Sequence, residues 1–132
     1  MPASFDRLLL AFANLESYGI ATRIVPGMNP ETERCQLQAS IRAVYPAGTG
    51  SCVFLMNSDI NCFDGAGDLR RPVPLHHSGP DTVRAAGAAL ADCGLDFAGE
   101  IGPNTIRVAD LSPPGADPVG IQWDSKAPRL GR

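Results

Sequence analysis

The run Ser51-Cys52-Val53-Phe54-Leu55-Met56 has strand length, with Gly48-Thr49-Gly50 before it and Asn57 after it. It shows no alternation between apolar and polar residues, which predicts a strand at the centre of a sheet, covered on both faces or nearly so. A chain built around such a strand needs helices for the covering, and the flanking sequence supplies them.

Ser4-Phe5-Asp6-Arg7 offers capping chemistry for a first helix. Phe5, Leu8, Leu9, Phe12 and Leu15 recur at helical spacing as far as Tyr18-Gly19, where glycine suits a C-terminal stop. Ile20-Ala21-Thr22-Arg23-Ile24-Val25 is rich in β-branched residues and closed by Pro26-Gly27, the pattern of a strand entering a turn. Asn29-Pro30-Glu31-Thr32-Glu33 is an unusually complete helix start: a capping side chain, a proline whose missing N–H costs nothing there, and two carboxylates near the positive end of the helix dipole. The helix that follows carries Leu37, Ile41, Val44 and Tyr45 on one face and stops at Pro46-Ala47-Gly48-Thr49-Gly50. Ser78-Gly79-Pro80-Asp81-Thr82 starts a third helix, with Val83, Ala86, Leu90 and Cys93 as its inner stripe and Gly94 as its stop.

Leu69 to His77 reads as an edge strand, because Pro72 and Pro74 remove two backbone donors. Leu95 to Glu100 and Thr105 to Ala109 read as two strands joined antiparallel by the turn residues Gly102-Pro103-Asn104. Hairpin signals outnumber crossover signals. The expectation is therefore an α+β domain: a single, mostly antiparallel sheet of about five strands packed by two to three helices. One domain over residues 1–111 is followed by a Pro/Gly-rich extension over 112–132, in which Val119-Gly120-Ile121-Gln122-Trp123 suits a last edge strand, a stretch lying against the body, or an aromatic anchor for a partner.

The chain's 132 residues, 44% hydrophobic and 19% charged, suffice for one core that buries about two thirds of the unfolded surface. The net charge is −3, and the 11 basic residues are never massed beyond Arg70-Arg71, which is no electrostatic footprint for a nucleic acid. No apolar stretch reaches membrane-spanning length. Neither G-x-G-x-x-G nor G-x-x-x-x-G-K-[ST] occurs, so no cofactor is expected. Cys35, Cys52, Cys62 and Cys93 form no C-x-x-C pair, and buried free thiols are the simplest reading. With no signal-peptide pattern at the start, a bacterial-type cytoplasm is the expected compartment.

The arrangement Leu15-Glu16-x-x-Gly19-Ile20, Val53-Phe54 followed by Asp59, a glycine turn before Leu69, and a late helix with Val83, Leu90 and Gly94-Leu95 resembles a group of small, uncharacterised, chiefly actinobacterial α+β domains. That group carries a cysteine cluster after its first strand, where this chain has only Cys35. The resemblance implies an α+β fold and a bacterial origin, and it carries over no catalytic residue.

The chemistry-bearing residues concentrate between Asn57 and Ser78. Asp59, Asn61, Asp64 and Asp68 offer oxygen ligands, and His76 and His77 offer nitrogen. A calcium loop begun at Asp59 fails: its fifth, sixth and twelfth positions, which want an oxygen donor, glycine and glutamate, hold Phe63, Asp64 and Arg70. Adjacent histidines on an extended chain point to opposite faces, so only one could serve a common metal. No G-x-S-x-G elbow is present to pair with a histidine. Phe63-Asp64-Gly65-Ala66-Gly67-Asp68-Leu69 is better read as a turn: Asp64 bonds its own backbone two residues on, glycines take positive φ, and Phe63 meets Leu69 across the loop. It would then be an exposed tip with three acids.

Two functions follow. The favoured one is a non-enzymatic protein-binding module, such as a toxin-neutralising immunity protein or an inhibitor encoded by a mobile element. It would act through Asp59, Asp64, Asp68, Arg70, Arg71 and Trp123 on a partner that is basic where it meets the acids, as a monomer or weak homodimer. The alternative is a small metal-dependent or ligand-binding enzyme using Asp59, Asp64, Asp68, His76 and His77, with Asp64, Asp68, His76 and His77 as the metal set.

Overall fold

The computed structural model of the protein describes residues 2–110. Three helices, α1 (Ser4–Ser17), α2 (Pro30–Val44) and α3 (Pro80–Asp92), and five strands, β1 (Ala21–Val25), β2 (Cys52–Met56), β3 (Val73–His77), β4 (Leu95–Gly102) and β5 (Thr105–Asp110), account for most of them. The strands form one sheet in the order β1-β2-β3-β5-β4. β1 runs parallel to β2, while β3 pairs antiparallel with β2 and with β5, and β5 antiparallel with β4. The α+β expectation holds at this level. The segment from Leu111 onward, with Val119–Trp123 and the proposed anchor Trp123, lies outside the described residues.

All five residues of β2 are buried, and the reason is the two-sided covering that its lack of alternation required. Val53 and Leu55 join Leu8, Phe12, Leu15, Leu75, Leu90, Leu95, Ile106 and Val108 in the main core beneath α1 and α3. Cys52, Phe54 and Met56 point the other way, toward α2, and form a smaller cluster with Val25, Ala21, Leu37 and Ile41. The turn Pro103-Asn104 joins β4 to β5 antiparallel, as its chemistry demands. Asn29 caps α2 through its side-chain oxygen, which accepts from the Thr32 N–H at 3.2 Å, with Pro30 in the first turn. Gly19 and Gly94 follow α1 and α3 with φ of 84° and 77°, a conformation that favours glycine.

β3 is not an edge strand. It sits between β2 and β5, with Pro74 opposite Arg107. The strand geometry explains how a proline is tolerated there. The His77 N–H donates to the Asn104 carbonyl on the β5 side, so by alternation Val73 and Leu75 also direct their backbone groups to β5, and Pro74 faces β2. β2 and β3 share only the pairs Val53–His77 and Phe54–His76. The pairing with β3 stops there although β2 continues to Met56, which the register sets level with Pro74, and the chain then turns into a 3-10 helix, Asn57–Cys62, so the N–H that Pro74 lacks falls where the β2–β3 ladder has already ended. Among the described strands the edges are β1 and β4. β4 is irregular, with register shifts between Phe97 and Gly99 and between Glu100 and Gly102, which blunt it as a pairing surface.

Candidate functional site

The acidic stretch is the turn that its residues specify, and Asp64 to Ala66 at its tip are exposed, but Asp59 and Asp68 are half-buried and the return of the loop is docked on the body. Phe63 and Leu69 form an antiparallel bridge. Asp64 Oδ1 accepts from the Ala66 N–H at 2.9 Å and the Asp68 N–H at 3.0 Å, and these bonds hold the exposed Asp64 carboxyl below its ordinary range, the Asp68 amide contributing most. The loop is then wedged against the start of α1. The Phe5 N–H donates to the Gly67 carbonyl at 2.8 Å, the Ser4 N–H to Asp68 Oδ1 at 3.3 Å, and the Phe5 and Phe63 rings meet edge to face. Asp68 thus serves a helix start sixty-four residues away in sequence. That long-range cap replaces the local one expected from Ser4, because Ala3 stands at the N-cap and offers no side-chain acceptor.

Asp59 is half-buried in the 3-10 helix, and its burial raises its carboxyl against the partly offsetting charge of Arg71. Arg71 donates to Asn61 Oδ1 at 3.0 Å, and Arg70 is exposed beside it. These residues cluster at the Val73 end of β3, whereas His76 and His77 stand at the other end of the strand, about 13 Å away along its axis. The two imidazoles lie on opposite faces: His76 stacks on Phe54 on the α2 side, and His77 pairs with Val53 on the α1/α3 side. Asp64, Asp68, His76 and His77 are therefore not brought together. Among the described residues no three histidine, cysteine, aspartate or glutamate side chains gather in a way that could hold a metal ion.

Both histidines are pushed below their ordinary pKa, chiefly by burial. His76 Nδ1 lies 3.0 Å from Thr105 Oγ1. His77 Nδ1 accepts from the Gly79 N–H at 3.2 Å, which leaves the proton on Nε2, an atom buried without a partner among the described residues. Next to His76, a cleft of about 50 Å³ between the first turn of α2 and β3–β5 is lined by Glu31, Arg34, Phe54, Asn104 and Thr105. It has room for one or two water molecules. Of the thiols, Cys52 and Cys62 are buried, Cys93 is half-buried and Cys35 is exposed on α2, so the expectation of burial fails for Cys35. Burial pushes Cys52 up to about 11, far from thiolate reactivity.

A wider concavity than this cleft lies elsewhere. A groove of about 1200 Å³ opens between the C-terminal half of α2 and the start of β1, lined by Ala21, Arg23, Leu37, Ile41, Val44 and Tyr45 among others. Its origin is the angle at which α2 crosses the sheet. The first turn of α2 meets His76 and Thr105, and its middle, through Leu37 and Ile41, packs on the β1–β2 cluster. A 15-residue helix is about 22 Å long, whereas β5 and β1 are about 14 Å apart, so the last turn runs past the sheet's edge. That overhang is why Val44 and Tyr45 are each 68% exposed rather than buried as their helical spacing suggested.

Among the described residues, the strand beneath this roof is an edge of the sheet. Ala21 donates its N–H to the Ser51 carbonyl, so Ala21, Arg23 and Val25 face β2 while Thr22 and Ile24 turn their backbone groups outward. At Thr22 both groups are covered. Glu16 accepts from its N–H at 3.2 Å and its hydroxyl at 2.7 Å, and Arg23 donates to its carbonyl at 2.7 Å. The hydroxyl bond is the largest cause holding the Glu16 carboxyl below its ordinary range. At Ile24 the outward N–H and C=O meet no partner among the described residues, and the side chain is 40% exposed. The sequence carried a signal for this site in the continuation of apolar residues to Val44-Tyr45, directly before Pro46, on a helix with no fully buried residue. No helix of the described residues is long and apolar enough to cross a membrane. No family model, curated protein or solved structure matches the chain.

Proposed function

We propose that this chain is a protein-binding module rather than an enzyme, and that its binding element is the groove between β1 and α2. The single observation that supports this most is the juxtaposition of an outward-facing, unpaired backbone at Ile24 with an apolar helix turn, Val44-Tyr45, held over the same edge. An extended segment added there would pair its main chain with β1 and insert alternate side chains against Leu37, Ile41 and Val44, the mode known as strand addition. The occupant is thus an extended peptide segment of another protein, with apolar residues at every second position. A toxin-neutralising immunity protein or an inhibitor encoded by a mobile element is a module of this kind. The acids are re-weighed in this reading: Asp68 and Asp64 serve the loop, and Arg70 and Arg71 remain an exposed basic pair available to a partner's rim.

A displayed library of extended nonapeptides tests the reading. The expected outcome is enrichment of sequences with alternating apolar residues, whose binding is lost in Val44→Asp and Ile24→Pro and kept in Arg107→Glu, which lies on another part of the sheet. Failure to enrich such sequences, or hits indifferent to Val44→Asp and Ile24→Pro, would sink it.

A further inference from the structure

We propose that the groove takes the C-terminal end of a partner chain: a segment ending in an apolar residue pairs antiparallel with Ile24, and its terminal carboxylate is received by the guanidinium of Arg23. The inference rests on the reading of the groove as a strand-accepting site and names the kind of strand that fits it.

The first ground is where the open edge stops. Thr22 and Ile24 both turn their backbone groups away from β2, but among the described residues only those of Ile24 are open. At Thr22 the Glu16 carboxylate accepts from the N–H at 3.2 Å, and Arg23 Nη1 donates to the carbonyl at 2.7 Å. A strand continuing past Ile24 would bring its own N–H to the place where Arg23 already donates, and its own C=O to the place where Glu16 already accepts. Donor would face donor and acceptor would face acceptor, so the ladder has to end between Ile24 and Thr22. A chain that itself ends there forfeits nothing.

The second ground is what stands at the stopping point. In an antiparallel pair, the residue after the one opposite Ile24 lies opposite Arg23, and the next main-chain nitrogen would point at the Thr22 carbonyl. If the chain ends opposite Arg23, a carboxylate oxygen takes the place of that nitrogen and offers the guanidinium an acceptor. Arg23 uses Nη1 for both of its contacts, to the Thr22 carbonyl and to Glu16 Oε2 at 3.5 Å. Its Nε and Nη2, the adjacent donors that grip a carboxylate side-on, have no partner among the described residues, and the side chain is 54% exposed. A parallel segment starting at the same place would instead set its terminal ammonium beside this guanidinium, like charge against like.

The third ground is the side-chain pattern. The partner residues opposite Arg23 and Val25 project to the α2 side, where Leu37, Ile41 and Val44 line the groove, and the residue between them projects to the other face. The last and third-from-last residues of the partner are therefore apolar, with the penultimate one free to vary. Glu16 and Arg23 are the only charged residues that line the groove among the described residues, so Arg23 is the one cation there for the terminal carboxylate to meet.

The nonapeptide library tests this when it is displayed in two formats, one leaving the C-terminus free and the other the N-terminus. The expected result is enrichment in the first format alone, of sequences with apolar last and third-from-last residues. Synthetic peptides from that pool are expected to bind about tenfold tighter as free acids than as C-terminal amides, the worth of a charge-assisted contact at a half-exposed site. Added salt should narrow the difference. Arg23→Gln, which keeps a donor for the Thr22 carbonyl, is expected to bind both forms at the level of the amide with the urea midpoint unchanged, and Arg23→Lys to keep part of the preference. Equal binding of acid and amide, or a preference that survives Arg23→Gln, overturns the carboxylate contact. Enrichment in both formats alike, or only with a free N-terminus, overturns the proposed terminus. In each of these cases binding lost in Val44→Asp leaves the groove a protein-binding site. Enrichment in neither format overturns the groove reading, and this inference with it.

Discussion

Arg7 Nη2 lies 2.5 Å from Asp110 Oδ2, with the two side chains only 6% and 4% exposed, and this pair ties the first helix to the end of the last described strand. Ser4 Oγ donates to the same Asp110 oxygen at 2.5 Å, and Arg7 also donates to the carbonyls of Pro2, Cys93 and Gly94. One guanidinium thus holds the N-terminal segment, the stop of α3 and the end of β5 together.

Breaking that pair from one side leaves a buried charge without its counterion. Asp110→Asn is expected to lower unfolding stability by about 3 to 5 kcal/mol, a large part of what a domain of this size has. Urea unfolding reads it as a lower midpoint at unchanged slope. The double variant Arg7→Met with Asp110→Leu should recover part of the loss, because an apolar pair needs no counterion. Recovery stays incomplete, since the carbonyls of Pro2, Cys93 and Gly94 lose their donor. A single variant within 1 kcal/mol of wild type would show the pair to be dispensable.

The acidic loop gives a sharper contrast between a structural and a binding role. Asp68→Ala removes the acceptor for the Ser4 N–H and is expected to cost about 1 kcal/mol, the usual worth of a helix cap. Gly67→Ala forces a side chain into φ of +88° with its Cβ 3.3 Å from that of Ala3, and about 1 to 3 kcal/mol is expected. Neither variant should weaken binding of a groove peptide at a temperature where it remains folded. Unaltered stability with lost binding would return these residues to the site.

Legibility from sequence divided along a physical line. Local chemistry was readable: the Asn29-Pro30 start, the Gly19 and Gly94 stops, the two-sided burial of Cys52 to Met56 and the Asp64 turn all depend on neighbours within a few residues. What depended on the third dimension was not. Pro74 sits in a central strand because the pairing of β3 with β2 has already stopped at that level, a fact about how another segment runs. Asp68 is a helix cap because a loop docks on a helix distant in sequence. Val44 and Tyr45 share a face with Leu37 and Ile41, and periodicity alone assigned them to the core. Only the length of α2 against the width of the sheet reveals that they overhang its edge.

Thiol reactivity follows the burial gradient. Cys35 is exposed on α2, Cys93 is half-buried, and Cys52 and Cys62 are buried, with burial raising the last three above their ordinary thiol range. Titration of the native protein with a disulfide reagent at pH 8 is expected to show one fast thiol, a slower second, and two that appear only in denaturant. Cys35→Ser should remove the fast phase alone. A fast phase surviving that substitution would mean that α2 detaches from the β1–β2 cluster often enough to expose Cys52.

The buried histidines set the acid side of the stability profile. Their folded pKa values lie below the ordinary 6.5, so near neutral pH the unfolded chain binds the protons that the folded chain refuses. Stability from this source is complete above 6.5 and declines as pH falls through 6.5 toward the folded values. For His77 the structural cost of protonation is specific. A proton on Nδ1 breaks the bond from the Gly79 N–H at the start of α3, and burial opposes the charge, with Glu100 an offset and Arg34 a smaller opposing charge. Asp59, raised by burial, acts in the opposite sense, since its ionisation disfavours the fold as pH rises. Comparison with His77→Gln separates the two contributions. Between pH 7.5 and 5 the wild-type urea midpoint is expected to fall more than that of the variant, in which only His76 keeps the histidine dependence. Parallel profiles for the two proteins would show that His77 titrates alike in the folded and unfolded chain, contrary to its burial against β2.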